Sequence, residues 1–218
     1  MIRITDRDKE IISYVERYGF VTISQAYNMW FSDQTYGYDL ARKRLNILVD
    51  TGRLKSNKSK HTNFTNIYYI DKRYSNMSHH NILIMDVYSK ITSFGGDIKY
   101  FKREQPWDDG KYRSDAYVIY TFEGYVYALF IEVFSLGTSS CNSLNTLKDK
   151  LQERYFNVMT NKEYQSINTN VLGANYDIVP NLLVVDDLSS QEDWNDLCNV
   201  FKTFHTNFSM KNLCKIIL

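Results

Sequence analysis

Between Tyr125 and Phe134 the chain reads YVYALFIEVF, ten residues with a single charge, Glu132. A strand that is apolar on both faces has to be covered on both, so this segment calls for a central position in a layered sheet rather than a surface hairpin. Just upstream, Tyr112 to Phe122 alternates as a second strand, joined to the first by a Glu123-Gly124 turn, and it carries Asp115. Carboxylates in buried strands need a partner. Asp115 and Glu132 therefore read either as ligands of a metal or as ion-paired structural acids. With 218 residues and 44% hydrophobic content, the chain can bury such a core within one large domain or two small ones.

The flanking pattern extends the sheet. Ser78 caps a helix that carries Ile82, Met85 and Ile91 at helical spacing and stops at Gly95-Gly96; "DIKYFKRE" then alternates as a strand. His79 and His80 share the first turn but not a helix face, which suits capping or packing better than ligation. Downstream, Asn142 to Met159 is expected as a long helix with Leu144, Leu147, Leu151 and Tyr155 in its stripe, and "IVPNLLVVD" as a further buried strand. Thr160 to Asp177 is left without an assignment. Ser189 and Glu192 form a capping box for a last helix to about His205, with "LCKIIL" as a terminal strand.

The order from Ser78 is helix, three strands, helix, strand, which resembles the αβββαβ core of the restriction-endonuclease-like fold. That resemblance implies a divalent metal held by an Asp on the second strand and a Glu, two residues before a Lys, on the third. Asp115 and Glu132 occupy those places as candidate metal ligands, with Mg²⁺ the ion that would activate water for phosphodiester attack. The chain departs from the pattern: Glu132-Val133-Phe134 has no Lys. Lys148 or Lys150 on the following helix would have to stand in, and Glu104 could supply a third carboxylate. The departure leaves catalysis open and weighs against it, with no cofactor as the first expectation.

The first 75 residues follow a different plan. Thr5 with Asp8 opens a helix, Ile11, Ile12, Val15 and Tyr18 fall at helical spacing, and Gly19 ends it. Thr22 caps a second, short helix, "ISQAYNMWF". A third runs from about Tyr36 to Thr51, with Tyr38, Ala41, Leu45 and Leu48 on one face. Alternation around Arg53-Leu54-Lys55 and again over Ile67 to Ile70, across a polar turn, predicts a β-hairpin. Three helices and a hairpin are the order of a winged helix-turn-helix, whose third helix enters the DNA major groove. The expected domains are thus residues 1–75, a winged helix-turn-helix, and 76–218, a nuclease-like α/β domain.

Charge supports that division. Residues 1–75 hold thirteen Lys and Arg against eight Asp and Glu, whereas the remainder is net acidic. Seven cations fall between Arg42 and Lys60, against one acid, Asp50. Arg42, Lys43 and Asn46 are the expected base-edge readers. Lys55, Lys58 and Lys60 would contact phosphates, and Arg44 and Arg53 complete the basic set. His61, in the hairpin turn, suits a backbone contact. Cys141, Cys198 and Cys214 show no paired spacing and read as reduced thiols. No window is apolar enough for a membrane span, and the first residues lack an apolar signal region, so a cytoplasmic protein is expected.

Taken together, "ITDRDKEIISYVERYGFVTISQA", the basic third helix, and His79, His80, Asp86, Arg113, Asp115, Ala116, Glu132, Lys150, Leu151 and Tyr155 resemble the replication-relaxation family of plasmids and integrative elements. The resemblance implies a DNA-binding accessory protein for replication, DNA relaxation or conjugative transfer. Duplex DNA, a second copy of the chain and a replication or relaxosome protein are the implied partners. A Mg²⁺-dependent nuclease or nickase guided by the winged helix, and a winged-helix transcription regulator, stand as alternatives.

Overall fold

The computed structural model describes residues 3–58, 66–134, 144–173, 178, 180–186 and 203–207. It is a mixed α+β structure with two sheets, dividing into two compact units, Met1–Phe94 and Gly95–Leu218. No helix among the described residues is long and apolar enough to cross a membrane.

In the first unit, α1 (Asp6–Tyr18) opens on the expected capping box: the Thr5 hydroxyl accepts from the Asp8 amide, and the Asp8 carboxylate accepts from the Thr5 amide at 2.6 Å. The helix stops at Gly19, where φ is +96° and the Tyr74 ring occupies the space a Cβ would need. Only glycine satisfies both conditions. Phe20–Thr22 then forms β1, a strand with no signature of its own in the sequence. The "ISQAYNMWF" helix is α2 (Ile23–Ala26) running into a π-helical turn, Tyr27–Phe31.

Helix α3 spans Gly37–Asp50, and β2 (Lys55–Lys58) and β3 (Asn66–Tyr69) form the hairpin. β3 lies between β1 and β2, antiparallel to both. Gly37 packs so closely that a Cβ there would run into the Phe31 carbonyl. Ala41, Leu45 and Leu48 turn into the core as expected, but Tyr38 does not and is half exposed. It sits in the first turn of the helix, at the edge of that face, its ring edge-on to Tyr27.

Helix α4 (His79–Ser93) begins at the predicted Ser78 cap, yet it belongs to the first unit. A polar network fastens it there. Gln25 donates to the Asp86 carboxylate at 2.7 Å and to the Ile82 carbonyl at 3.3 Å, while Asn28 donates to the Ser89 hydroxyl at 3.1 Å. The division expected at residues 75 and 76 falls instead at 94 and 95, because these side chains, distant in sequence, claim the helix.

The second unit is a five-stranded sheet ordered β4 (Asp97–Trp107), β5 (Tyr112–Phe122), β6 (Tyr125–Phe134), β7 (Asn181–Asp186), β8 (Thr203–Asn207). The first three strands form an antiparallel meander, with Glu123 and Gly124 both at positive φ in the tight turn. β7 and β8 join in parallel. A parallel neighbour needs a crossover, and between β6 and β7 the described part of it holds α5 (Leu144–Met159) and α6 (Lys162–Leu172). Pro106 is tolerated because β4 is an edge strand.

Helix α6 lies within the stretch, Thr160 to Asp177, that had no assignment. Thr203 to His205, expected at the end of a helix, are strand. The earlier part of that helix, the "LCKIIL" segment and all three cysteines lie outside the described residues. Trp107, Tyr117, Phe130, Tyr155 and Tyr164 form the aromatic centre of the layer between the sheet and its helices.

Candidate nucleic-acid interface and carboxylate site

Helix α3 presents three of its cations differently. Arg42 is exposed and pairs with Asp39 one turn back at 3.0 Å, a surface bond worth about 0.5 kcal/mol or less and easily exchanged for another anion. Lys43 is exposed as well. Arg44 turns inward: its guanidinium grips the Asp8 carboxylate through two nitrogens and also donates to the Arg3 carbonyl at 3.0 Å. Asp8 is fully buried. Burial raises its carboxyl, but the Arg44 bond and the Thr5 amide and hydroxyl outweigh that and hold it below its usual range. Arg44 thus clamps α3 to the start of α1, although its place in the sequence puts it among the expected DNA contacts.

Asn46 is exposed, with its side-chain oxygen accepting from the Tyr68 hydroxyl at 3.0 Å. A two-bond grip on adenine would require breaking that bond. After the helix, Arg53, Lys55 and Lys58 are all exposed, and every residue of β2 faces solvent. Asn57 donates to the Ser75 carbonyl at 2.9 Å and fixes the strand. Lys60 and His61 lie outside the described residues.

The two strand acids do converge. Ala116 pairs with Ile131, so one step further Asp115 stands opposite Glu132. They lie two residues beyond Tyr117 and Phe130, on the sheet face that α5 covers. Each carboxylate already has a partner. Asp115 accepts from the Val133 amide at 2.8 Å. Glu132, 13% exposed, accepts a close bond from the Tyr155 hydroxyl and has the Arg154 guanidinium 3.4 Å from both oxygens. Arg154 also donates to the Arg113 carbonyl at 3.0 Å.

Burial, and next the adjacent Asp115 charge, push the Glu132 carboxyl up to about 8 against the pull of Arg154 and Tyr155. Near neutrality this acid keeps its proton. Glu104 meets Arg113 at 3.4 Å on the exposed surface. The Lys148 and Lys150 side chains lie outside the described residues. A hard divalent cation needs several unencumbered oxygens. With a guanidinium on Glu132, an amide on Asp115 and Glu104 turned to Arg113, the donor set as arranged does not fit one.

Arg154 and Tyr155 are the partners that sequence reasoning missed. Helical spacing places Tyr155 in the apolar stripe, and its ring is buried as that predicts. Only its hydroxyl, aimed at Glu132, escapes a periodicity argument. Arg154, four positions beyond Lys150, is one turn from the residue named as a stand-in cation. Compared with protein-family models, curated proteins and solved structures, the chain matches none.

Proposed function

We propose that this chain is a sequence-specific double-stranded DNA-binding protein, with the first unit acting as a winged helix-turn-helix. In this reading α3 is the recognition helix and the β2–β3 hairpin is the wing. The observation that carries it is the exposure of Arg42, Lys43, Arg53, Lys55 and Lys58 on those two elements, with Arg44 taken up internally. Cations from the hairpin would displace counterions from the phosphate backbone and give salt-dependent, sequence-independent affinity. Arg42 and Lys43 would reach base edges, Arg42 exchanging Asp39 for guanine.

The second unit, with its β4–β5–β6 meander and parallel β7 and β8, is proposed as a nuclease-like scaffold working without catalysis. It would join two copies, so that two recognition helices meet repeated half-sites, or dock a replication or relaxosome protein. An accessory role in replication, relaxation or transfer of a plasmid or mobile element follows from the family resemblance. The proposal predicts that Arg42→Ala with Lys43→Ala lowers duplex affinity at least about tenfold without changing the thermal melt. Unchanged affinity would remove α3 from the interface.

A Mg²⁺-dependent nuclease is the second reading, and the convergence of Asp115 and Glu132 favours it. The partners already on both acids are why it ranks second. Nicking of supercoiled plasmid that needs Mg²⁺ and disappears in Glu132→Ala would reverse the order.

A further inference from the structure

Among the described residues, five large apolar side chains are notably exposed, and three fall within five positions at the start of α3: Tyr36 at 74%, Tyr38 at 50% and Leu40 at 37%. Tyr38 and Leu40, two positions apart, face opposite sides of the helix, so the three are separate exposed side chains rather than one patch, and Tyr38 is the one on the Arg42 side. Tyr38 is fixed in direction by its edge-on contact with Tyr27, ring centroids 6.2 Å apart. It stands one turn before Arg42, so an aromatic ring and an exposed guanidinium lie side by side on the helix. Lys43 follows, and Arg53, Lys55 and Lys58 are exposed on the segment after the helix. Apolar rings set among cations fit a polyanion that has apolar features of its own.

Resting on the DNA-binding reading above, we propose that Tyr36 and Tyr38 read thymine through its 5-methyl group in the major groove. The thymine methyl is the apolar feature that groove displays, and it distinguishes A·T from T·A, which charge cannot. Arg42 and Lys43 hold the helix in the groove, and the two rings supply specificity for runs containing thymine. The cations alone would give a protein that binds duplex DNA with little preference at these positions.

The test selects sites from a randomised duplex pool with the full chain, then replaces each thymine of the winning site by deoxyuridine, which deletes only the methyl. Each contacted methyl is expected to account for about fourfold in affinity. Tyr36→Ser with Tyr38→Ser should bind the thymine and deoxyuridine duplexes alike, while Tyr38→Phe keeps the discrimination; thermal melts verify that both variants fold. Duplex binding indifferent to the methyl groups overturns this inference and leaves the DNA-binding reading standing. Selection of no duplex at all sinks both. If sedimentation shows that the double serine variant loses a dimer while its thymine discrimination is unchanged, the tyrosines belong to a protein contact and the inference fails.

Discussion

Each unit contains a largely buried acid facing an arginine from a helix, and the two pairs behave in opposite ways. In the first unit Asp8 receives a two-nitrogen grip from Arg44 plus two bonds from Thr5, and its carboxyl is held below the usual range. In the second, Glu132 has Arg154 at 3.4 Å and a second carboxylate, Asp115, across the ladder, and it is pushed up to about 8. A cation next to a buried acid therefore does not decide whether the acid is ionised. The count of hydrogen bonds to the charged form, set against burial and a like-charged neighbour, does. The first pair is a clamp that works when charged, whereas the second is a site that retains a proton.

The comparison breaks most readily at Asp8. Asp8→Ala strands the Arg44 guanidinium and removes half of the capping box, so it should destabilise the first unit by about 3 kcal/mol. Hydrogen exchange followed segment by segment, with faster exchange over residues 6–50 and unchanged protection over 112–134, would verify that the effect is local. Glu132→Gln should act in the other direction. The amide still accepts from Tyr155 but no longer has to ionise, and above pH 8 the variant should be more stable than the parent by about 1 kcal/mol in urea unfolding.

The pH dependence of the parent protein sharpens the same contrast. Asp8, depressed on folding, contributes stability that is fully present above the ordinary Asp value of 3.8 and is lost as pH falls further. Glu132, raised on folding, binds a proton in the native state between 4.5 and about 8 that the unfolded chain has released, so its contribution is full below 4.5 and fades as pH rises through 8. Exchange protection should weaken first in the first unit on acidification and first in the second on alkalinisation. The smallest effect belongs to Arg42→Ala: its surface pair with Asp39 should shift stability by less than about 0.5 kcal/mol, in contrast to Arg44, two positions away.

Much of the fold was legible because it rests on local chemistry. The Thr5 and Asp8 helix entry, the Thr22 cap, the Gly19 stop, the Ser78 cap and the Tyr112–Phe122 and Tyr125–Phe134 strands are each written in neighbouring residues. What escaped depends on pairs far apart in sequence. A three-residue strand such as β1 has no measurable period and exists because β3 lies beside it. The allegiance of α4 to the first unit is set by Gln25 and Asn28 reaching residues about sixty positions away. At the site, Asp115 and Glu132 lie on the adjacent strands β5 and β6, and their partners, the Val133 amide and the Tyr155 hydroxyl, are set by folding. The Arg44–Asp8 clamp, thirty-six positions apart, could not be distinguished by charge alone from its neighbours that face outward.

If Arg42 and Lys43 read base edges, Lys55 and Lys58 neutralise phosphates and Arg44 serves the fold, the salt dependence of duplex binding separates the first two roles. Across a series of salt concentrations, log affinity against log salt should be a line lower than the parent's but parallel to it in Arg42→Ala with Lys43→Ala, and shallower by about 0.9 for each phosphate given up in Lys55→Ala with Lys58→Ala. Affinity equal to the parent's in the first variant, or a slope equal to the parent's in the second, would contradict this division of roles, because the helix would then read no bases or the hairpin would release no counterions.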